Sequence, residues 1–391
     1  MNNKIYEVCD ADKCTGCCAC ADACTQNCIT IKQDEDGFYQ SCIDLTRCVS
    51  CLKCVSVCSA NNPNKRNRIA DAYKARIKDE EELLRSTSGG IASELGRYVI
   101  NNGGVVFGCG FNEDLFLCHS MATTLHELEK FKGSKYLQSY TAGIYSAAKC
   151  ELDKGTLTLF IGTPCQVSGL LNYLQKDYSN LYTVDLLCHG VMSHKVFDKF
   201  LSGIKNNEKP LSASFRNKDN GYADSKARNA WKITYSDETV KNTTDDGAFL
   251  WFGSSLSIRK SCYKCDFVSE VRPGDLTLAD NFSGDKMSDC ERQSGAGTVF
   301  VNSQKGEYIF GEISDYIEFE RRNTDETISK YKRLTEKCSP PKARERFFED
   351  LNEKTYEEMV KEYTLDSILP SIFLRRINGI RSRIKKIAKL K

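Results

Sequence analysis

No stretch of eighteen apolar residues occurs in this sequence, which excludes a membrane-spanning helix. Its opening, Met1-Asn2-Asn3-Lys4-Ile5-Tyr6-Glu7, lacks an apolar core and a cleavage site, so no secretory leader is expected. With both signals missing, the expected compartment is the cytoplasm. Net charge is nearly absent too, at +2 from 55 Lys and Arg against 53 Asp and Glu, which argues against nucleic-acid binding. Histidine is scarce, with four in 391 residues, so the choice of an imidazole proton donor is narrow. The apolar and aromatic content is ordinary for a soluble chain and excludes wholesale disorder, and the length allows two or three domains.

Cysteine is what the chain has in excess. There are 21, and 12 of them lie between Cys9 and Cys58. A secreted disulfide scaffold would be short. Here the chain is long, the count is odd, and many cysteines stand three residues apart, so metal or cluster ligation in a reducing compartment fits better. Cys14-x2-Cys17-x2-Cys20-x3-Cys24 recurs, with the same spacing, as Cys48-x2-Cys51-x2-Cys54-x3-Cys58. A cubane cluster offers four iron corners. A tight loop with a ligand at every third residue wraps three of them, and the fourth cysteine of each run reaches the other cluster. This assigns Cys14, Cys17, Cys20 and Cys58 to one 4Fe–4S cluster, and Cys48, Cys51, Cys54 and Cys24 to a second. Two zinc sites are a poor alternative, because zinc rarely takes four ligands from such a run. Between the runs, Ile29–Gln33 and Phe38–Ser41 flank Asp36-Gly37, a hairpin turn. The sequence departs from the usual pattern in having Thr25 and Ser59 where proline normally follows, and in the extra thiol of Cys18. Cys9, Cys18, Cys28 and Cys42 read as small buried fillers.

The spacing predicts an α+β chain in four parts. Residues 1–62 form a bacterial-type two-cluster ferredoxin fold, and 63–85 a polar linker entering a short helix. Residues 86–330 form an α/β body, and 331–391 a helical, basic C-terminal segment. Expected body strands are Val105–Cys109, Thr156–Ile161, Tyr182–Leu187, Trp231–Tyr235 and Leu276–Ala279. Expected helices are Ile91–Asn101, Ala142–Lys154, Cys165–Gln175 and Lys195–Lys205. Four body cysteines invite a metal. Cys165 and Cys188 each follow an apolar strand, and Cys262-x2-Cys265 forms a loop before another. By spacing alone these could be a third cluster, a structural zinc, a redox disulfide at Cys262 and Cys265, or unrelated core thiols. Cys109, Cys118, Cys150, Cys290 and Cys338 lack such spacing and read as packing residues.

Several short stretches then follow in order. They are Ser88-Gly89-Gly90, Gly103-Gly104-Val105-Val106-Phe107-Gly108, Gly133-Ser134-Lys135-Tyr136, Gly162-Thr163-Pro164-Cys165-Gln166, Cys188-His189-Gly190, Cys262-x2-Cys265 and Asp275-Leu276-Thr277-Leu278-Ala279-Asp280. Over about 86–305 this set resembles the beta subunit of coenzyme F-420-reducing hydrogenases and dehydrogenases, in which a preceding ferredoxin domain is a common fusion. The resemblance implies a non-covalent flavin, FAD, beside a 4Fe–4S cluster on Cys165, Cys188, Cys262 and Cys265. It implies an iron–sulfur flavoprotein oxidoreductase that passes electrons between clusters and flavin. Hydride exchange with an organic partner would follow, coenzyme F-420 being one candidate. Ser88, Gly89 and Gly90 at a helix start suit a pyrophosphate. Lys135 is a candidate phosphate or flavin-ring contact, Tyr136 a stacking or packing residue, and Thr163 a further cofactor contact. His189, beside a proposed ligand, is a candidate proton donor. Two alternatives from other classes are an electron-relay subunit with no substrate of its own and a redox-sensing scaffold.

The charge balance hides one asymmetry. Residues 367–391 carry eight Lys or Arg and no acid, leaving about −6 (2 minus 8) for the rest. Phe373, Ile377, Ile380, Ile384 and Ile387 form a helical stripe among those charges, suited to an anionic membrane or an acidic partner. The expected partners are therefore a redox protein or low-potential donor, and a small-molecule acceptor whose identity the sequence leaves open.

Overall fold

The computed structural model describes residues 7–204, 208–216, 218–219, 221–222, 231–243, 247–281 and 287–368. The basic stripe from Phe373 to Ile387 lies outside them. At its centre is an eight-stranded mixed sheet in the order Ile317–Arg322, Asp71–Ile77, Gly297–Val301, Leu276–Asp280, Leu181–Leu186, Thr158–Gly162, Val105–Phe111 and Leu117–Ala122. The strands beginning at Leu276, Leu181, Thr158 and Val105 pair in parallel. Two antiparallel steps through Gly297–Val301 bring Asp71–Ile77 back to the same direction. Five carboxyl ends therefore open on one edge of the sheet, the edge where open α/β sheets bind ligands.

Alternation along each strand sends side chains to two faces. Val106, Leu159, Val184 and Leu276 meet helix Ile91–Asn101 on one face. Val105, Phe107 and Phe160 meet helices Ile144–Asp153 and Pro164–Leu174 on the other. Each such fully buried side chain stabilises the body by about 1.5–3 kcal/mol. A second core gathers Phe197, Phe200, Phe215, Trp231, Trp251 and Phe347. They come from helix His194–Gly203, the three-stranded sheet centred on Trp231–Tyr235, and helices Ala248–Gly253 and Arg344–Glu353.

The expected body elements form with ends shifted by at most two residues, and Ile91–Asn101 and Trp231–Tyr235 match the prediction. The stretch 63–85 is not a linker. It holds the interior strand Asp71–Ile77, and its largely buried charges are accommodated by pairing, Lys74 with Glu291 and Arg76 with Glu318. Among the described residues no helix is long and apolar enough to cross a membrane.

The cysteine-rich segment repeats itself in backbone as well as sequence. Gly16 and Cys18 take left-handed conformations (φ 65° and 62°), and so do Ser50 and Leu52 at the matching positions of the second run (φ 54° and 63°). Each pair leads into a four-residue helix, Ala19–Asp22 and Lys53–Ser56. The hairpin Ile29–Gln33 with Tyr39–Ile43 lies between them and turns at Gly37 (φ 83°).

Candidate iron–sulfur and redox site

The repeat brings its cysteines together across the two runs. Cys14, Cys17, Cys20 and Cys58 line one small enclosed space with Cys9, Cys18 and Ile31. The Cys9 thiol donates to the sulfurs of Cys14 and Cys58, pulling them below the usual thiol range to about 6 and about 7. Cys24 lies with Cys28, Cys48 and Cys54 in the core of this segment. The Sγ atoms of Cys24 and Cys28 are 3.3 Å apart. Of the four expected filler thiols, Cys18 and Cys28 are buried and Cys9 half-buried against ligand candidates. Cys42 is exposed, because its strand turns that side to solvent.

The first cysteine loop is fastened to the body. Arg259 Nε donates to Cys14 O at 2.5 Å, and Gln138 Nε2 donates to Thr15 O at 3.1 Å. Thr141 and Tyr145 hydroxyls both donate to Cys17 O, at 2.8 and 2.6 Å. Asp22 accepts from the N–H groups of Gly143, Tyr145 and Ser146, at the start of helix Ile144–Asp153. Gly169 permits a close approach, since a Cβ there would stand 3.1 Å from Cys17 Sγ.

At the carboxyl edge of the sheet the body cysteines ring a cavity of about 260 Å³. Its wall includes Cys165, Cys188, Cys262, Cys265 and His189, and on the opposite side Thr15, Ser59 and Ala60 of the cysteine-rich segment. Cys165 is presented by the first turn of helix Pro164–Leu174, where Thr163 and Gln166 form a capping box. Thr163 Oγ1 is 3.2 Å from Cys165 Sγ. Cys188 stands two residues beyond strand Leu181–Leu186, its sulfur accepting from Gly190 N at 3.3 Å. The Cys262–Cys265 loop is braced from behind by Arg272, 1% exposed in its side chain, which pairs with the fully buried Asp185 at 2.6 Å. Arg272 Nη1 also donates to Phe267 O at 2.7 Å. Loss of hydration pushes all four thiols up, Cys188 to about 11, with neighbouring cysteines adding to it at Cys165, Cys188 and Cys262.

This donor set fits a compact cluster. Four soft thiols surround one space, and their buried charge would be compensated by bound iron. Among the described residues no three His, Cys, Asp or Glu side chains converge closely enough to hold a single metal ion. The cavity is smaller than the roughly 300–1,000 Å³ usual for ligand pockets, so it does not suit a dinucleotide.

The residues expected at a flavin are engaged with protein. Ser88 Oγ donates to Ala296 O at 2.7 Å. Gly90 is left-handed (φ 76°) at the start of helix Ile91–Asn101, while Gly89 lies against the Ala75 carbonyl. Lys135 Nζ donates to Lys130 O and Lys132 O at 3.0 and 2.7 Å, and burial lowers its pKa to about 8. Tyr136 stacks on Phe252 with centroids 4.7 Å apart. A chain of contacts nevertheless links this region to the cavity. Burial raises Cys109, which the Lys135 charge and a hydrogen bond with Ser139 lower in part, and Ser139 accepts from Gln166 Nε2 at 2.8 Å. His189 is exposed, with Nδ1 accepting from Arg333 Nε at 3.4 Å. His119 and His194 are buried and bonded to the Ile161 and Gln138 carbonyls. Sequence reasoning missed Gln138, Arg259, Arg272 and Arg333. None belongs to a spaced motif, and only the fold brings them to the cysteines.

Comparison with curated proteins found no match. Among solved structures, a chain of the F420-reducing [NiFe] hydrogenase complex from Methanosarcina barkeri, studied by xenon derivatization, is similar at a TM-score of 0.47 and 17% identity. The likeness covers 70% of this chain and 91% of that one. Residues 156–327, which carry all four body cysteines, match the family described as the C terminus of the coenzyme F420 hydrogenase/dehydrogenase beta subunit. This segment belongs to that family of oxidoreductase subunits.

Proposed function

We propose that the chain is an iron–sulfur flavoprotein oxidoreductase with two 4Fe–4S clusters in its cysteine-rich N-terminal segment, a third in the body, and FAD. The observation that carries this reading is the cavity itself. Thiols from three separate segments face Thr15 and Ser59, neighbours of the first cluster's ligands, across one space. When bound, iron–sulfur clusters would supply single-electron relay, and a flavin would supply exchange between single electrons and hydride. The chain's own part is to hold the relay still. Arg259 and Gln138 fix the first loop, the Thr163 capping box aims Cys165, and Arg272 fixes the Cys262–Cys265 loop. His189, with Nδ1 engaged by Arg333, keeps Nε2 to hold a proton at the cavity mouth. Ser88, Gly89, Gly90, Lys135 and Tyr136 are the residues that would hold the flavin. A low-potential redox protein supplies or takes electrons, and coenzyme F420 is one candidate organic acceptor.

The engagement of Ser88 and Lys135 with carbonyls favours a second reading, an electron-relay subunit with no substrate of its own. Iron and flavin content of anaerobically purified chain decides between them. About twelve irons and one FAD, both bleached by dithionite, are expected for three cubanes feeding a flavin. Iron without flavin, in chain shown not to have lost cofactor, favours the relay.

A further inference from the structure

The two cysteine sets are not equivalent in their surroundings. In the first, Cys17, Cys20 and Cys58 are buried, and Cys14 lies under Arg259. In the second, Cys54 is buried, Cys24 and Cys48 are half-buried, and Cys51 is exposed. Around that second set stand three exposed large apolar side chains close together in sequence: Leu45 at 42%, Val49 at 61% and Leu52 at 49%. Charge divides along the same line. Residues 7–44 carry eight acids and two bases, whereas 45–70 carry Arg47, Lys53, Lys65, Arg66 and Arg68 and no acid. Arg66 and Arg68 are paired with Asp177 and Glu270. Lys65 donates to Asp266 O. Arg47 and Lys53 are exposed and without an ion pair among the described residues, Arg47 donating to Gln26 O at 2.9 Å, and they alternate along the chain with the three apolar residues.

We propose that this patch is the docking surface for an external one-electron carrier, a small protein with an acidic face. Leu45, Val49 and Leu52 form the contact centre, and Arg47 and Lys53 steer the approach. The second cluster is then the port and the first the inner relay to the body cavity. This rests on the proposed function, since a port needs a cluster behind it. Two arguments choose the occupant. Electron transfer falls steeply with distance, so a carrier must approach the outermost cluster. An apolar centre with a positive rim complements an acidic surface with an apolar core.

The test is stopped-flow reduction of the full, iron-loaded chain by a reduced acidic two-cluster ferredoxin, across a range of salt. Arg47→Glu/Lys53→Glu should slow the second-order rate at low salt by about tenfold or more and flatten its salt dependence. Leu45→Glu, away from the ligands, should slow it similarly. Iron content and reduction by dithionite should be unchanged in both. Charge reversal at the distant Lys361 should leave the ferredoxin rate as it is. Equal rates in all variants, or an equal loss from Lys361→Glu, would overturn the docking surface while leaving the oxidoreductase reading intact. A chain that binds no iron would overturn both.

Discussion

Replacing Arg272 by methionine keeps much of the side chain's volume and removes its charge. Arg272 and Asp185 form an ion pair with side chains 1% and 0% exposed. The guanidinium also donates to the carbonyls of Phe267 and Leu186, at 2.7 and 3.0 Å. After the change, Asp185 keeps Thr277 Oγ1 at 2.8 Å and Gly274 N at 2.9 Å, and the carbonyls of Phe267, Leu186 and, more weakly, Ser269 lose this donor. Removing one member of a buried pair costs about 3–5 kcal/mol, because the other charge stays desolvated. Asp185 stands in the strand that leads to Cys188, and Phe267 two residues beyond Cys265, so the loss falls on the cavity wall. Amide hydrogen exchange should show protection falling across 262–272 first. Iron should drop from about twelve to about eight per chain, one cubane's share. The double change Arg272→Met with Asp185→Asn should recover part of the protection, since no charge is then stranded. Unchanged exchange in this loop for Arg272→Met would refute the bracing role, whatever the iron content.

Four further outcomes follow from the geometry. Arg259→Gln should lower the potential of the first cluster, by roughly 40 mV for each kcal/mol of charge interaction lost, in a redox titration followed by EPR. Cys58→Ser should abolish the signal of the cluster holding Cys14, Cys17 and Cys20, whereas Cys51→Ser should abolish the other; loss of one and the same signal in both variants would refute the crossed assignment. Gly169→Ala should lose the roughly 1 kcal/mol that alanine normally gains in a helix, because the new methyl would stand 3.1 Å from Cys17 Sγ; Gly169→Leu should separate the cysteine-rich segment from the body, read by limited proteolysis near residue 62. Lys135, lowered to about 8 chiefly by burial, binds fewer protons folded than unfolded above that pH. Wild type should therefore gain stability relative to Lys135→Met as pH rises from about 8 towards 10.5, and a constant difference across that window would count against it.

The parts of the molecule legible in sequence are those whose physics is local. The cysteine spacing of the first run returns in the second, and the backbone repeats with it, down to matching left-handed positions at Gly16 and Ser50 and at Cys18 and Leu52. Apolar runs at Val105, Thr158, Leu181 and Leu276 became the parallel centre of the sheet because a strand buried on both faces needs little polar alternation. The strand Asp71–Ile77 was hidden for the converse reason. Its residues Tyr73, Lys74 and Arg76 carry polar groups, and besides the nearby Glu80 it takes Glu291 and Glu318 from far along the chain to make the charged ones acceptable in a sheet. The same limit governs the site. Cys165 and Cys188 could be placed from the strands before them. Arg272 could not, because its partner Asp185 lies on another strand, far away in the chain.

One asymmetry joins the local and the distant features. The two cysteine runs match in spacing and in backbone, so nothing within the repeat decides which run faces the body. The decision is made by substituents outside the ligand pattern. The acids of the first half meet the body, where Asp22 caps helix Ile144–Asp153 and Asp36 pairs with Arg344 at 3.0 Å. The matching position to Asp22 in the second run is Ser56, exposed and bonded only to Lys53 O. A carboxylate facing a helix start is stabilised by both hydrogen bonds and the helix dipole, typically by about 0.3–1 kcal/mol for the dipole alone. Exchanging the two, Asp22→Ser with Ser56→Asp, should therefore weaken the inner docking without creating an outer one. Limited proteolysis near residue 62 should accelerate, while the iron of the repeat's two clusters is retained. Loss of that iron at unchanged cleavage would show that Asp22 supports its own cysteine loop and not the contact with the body.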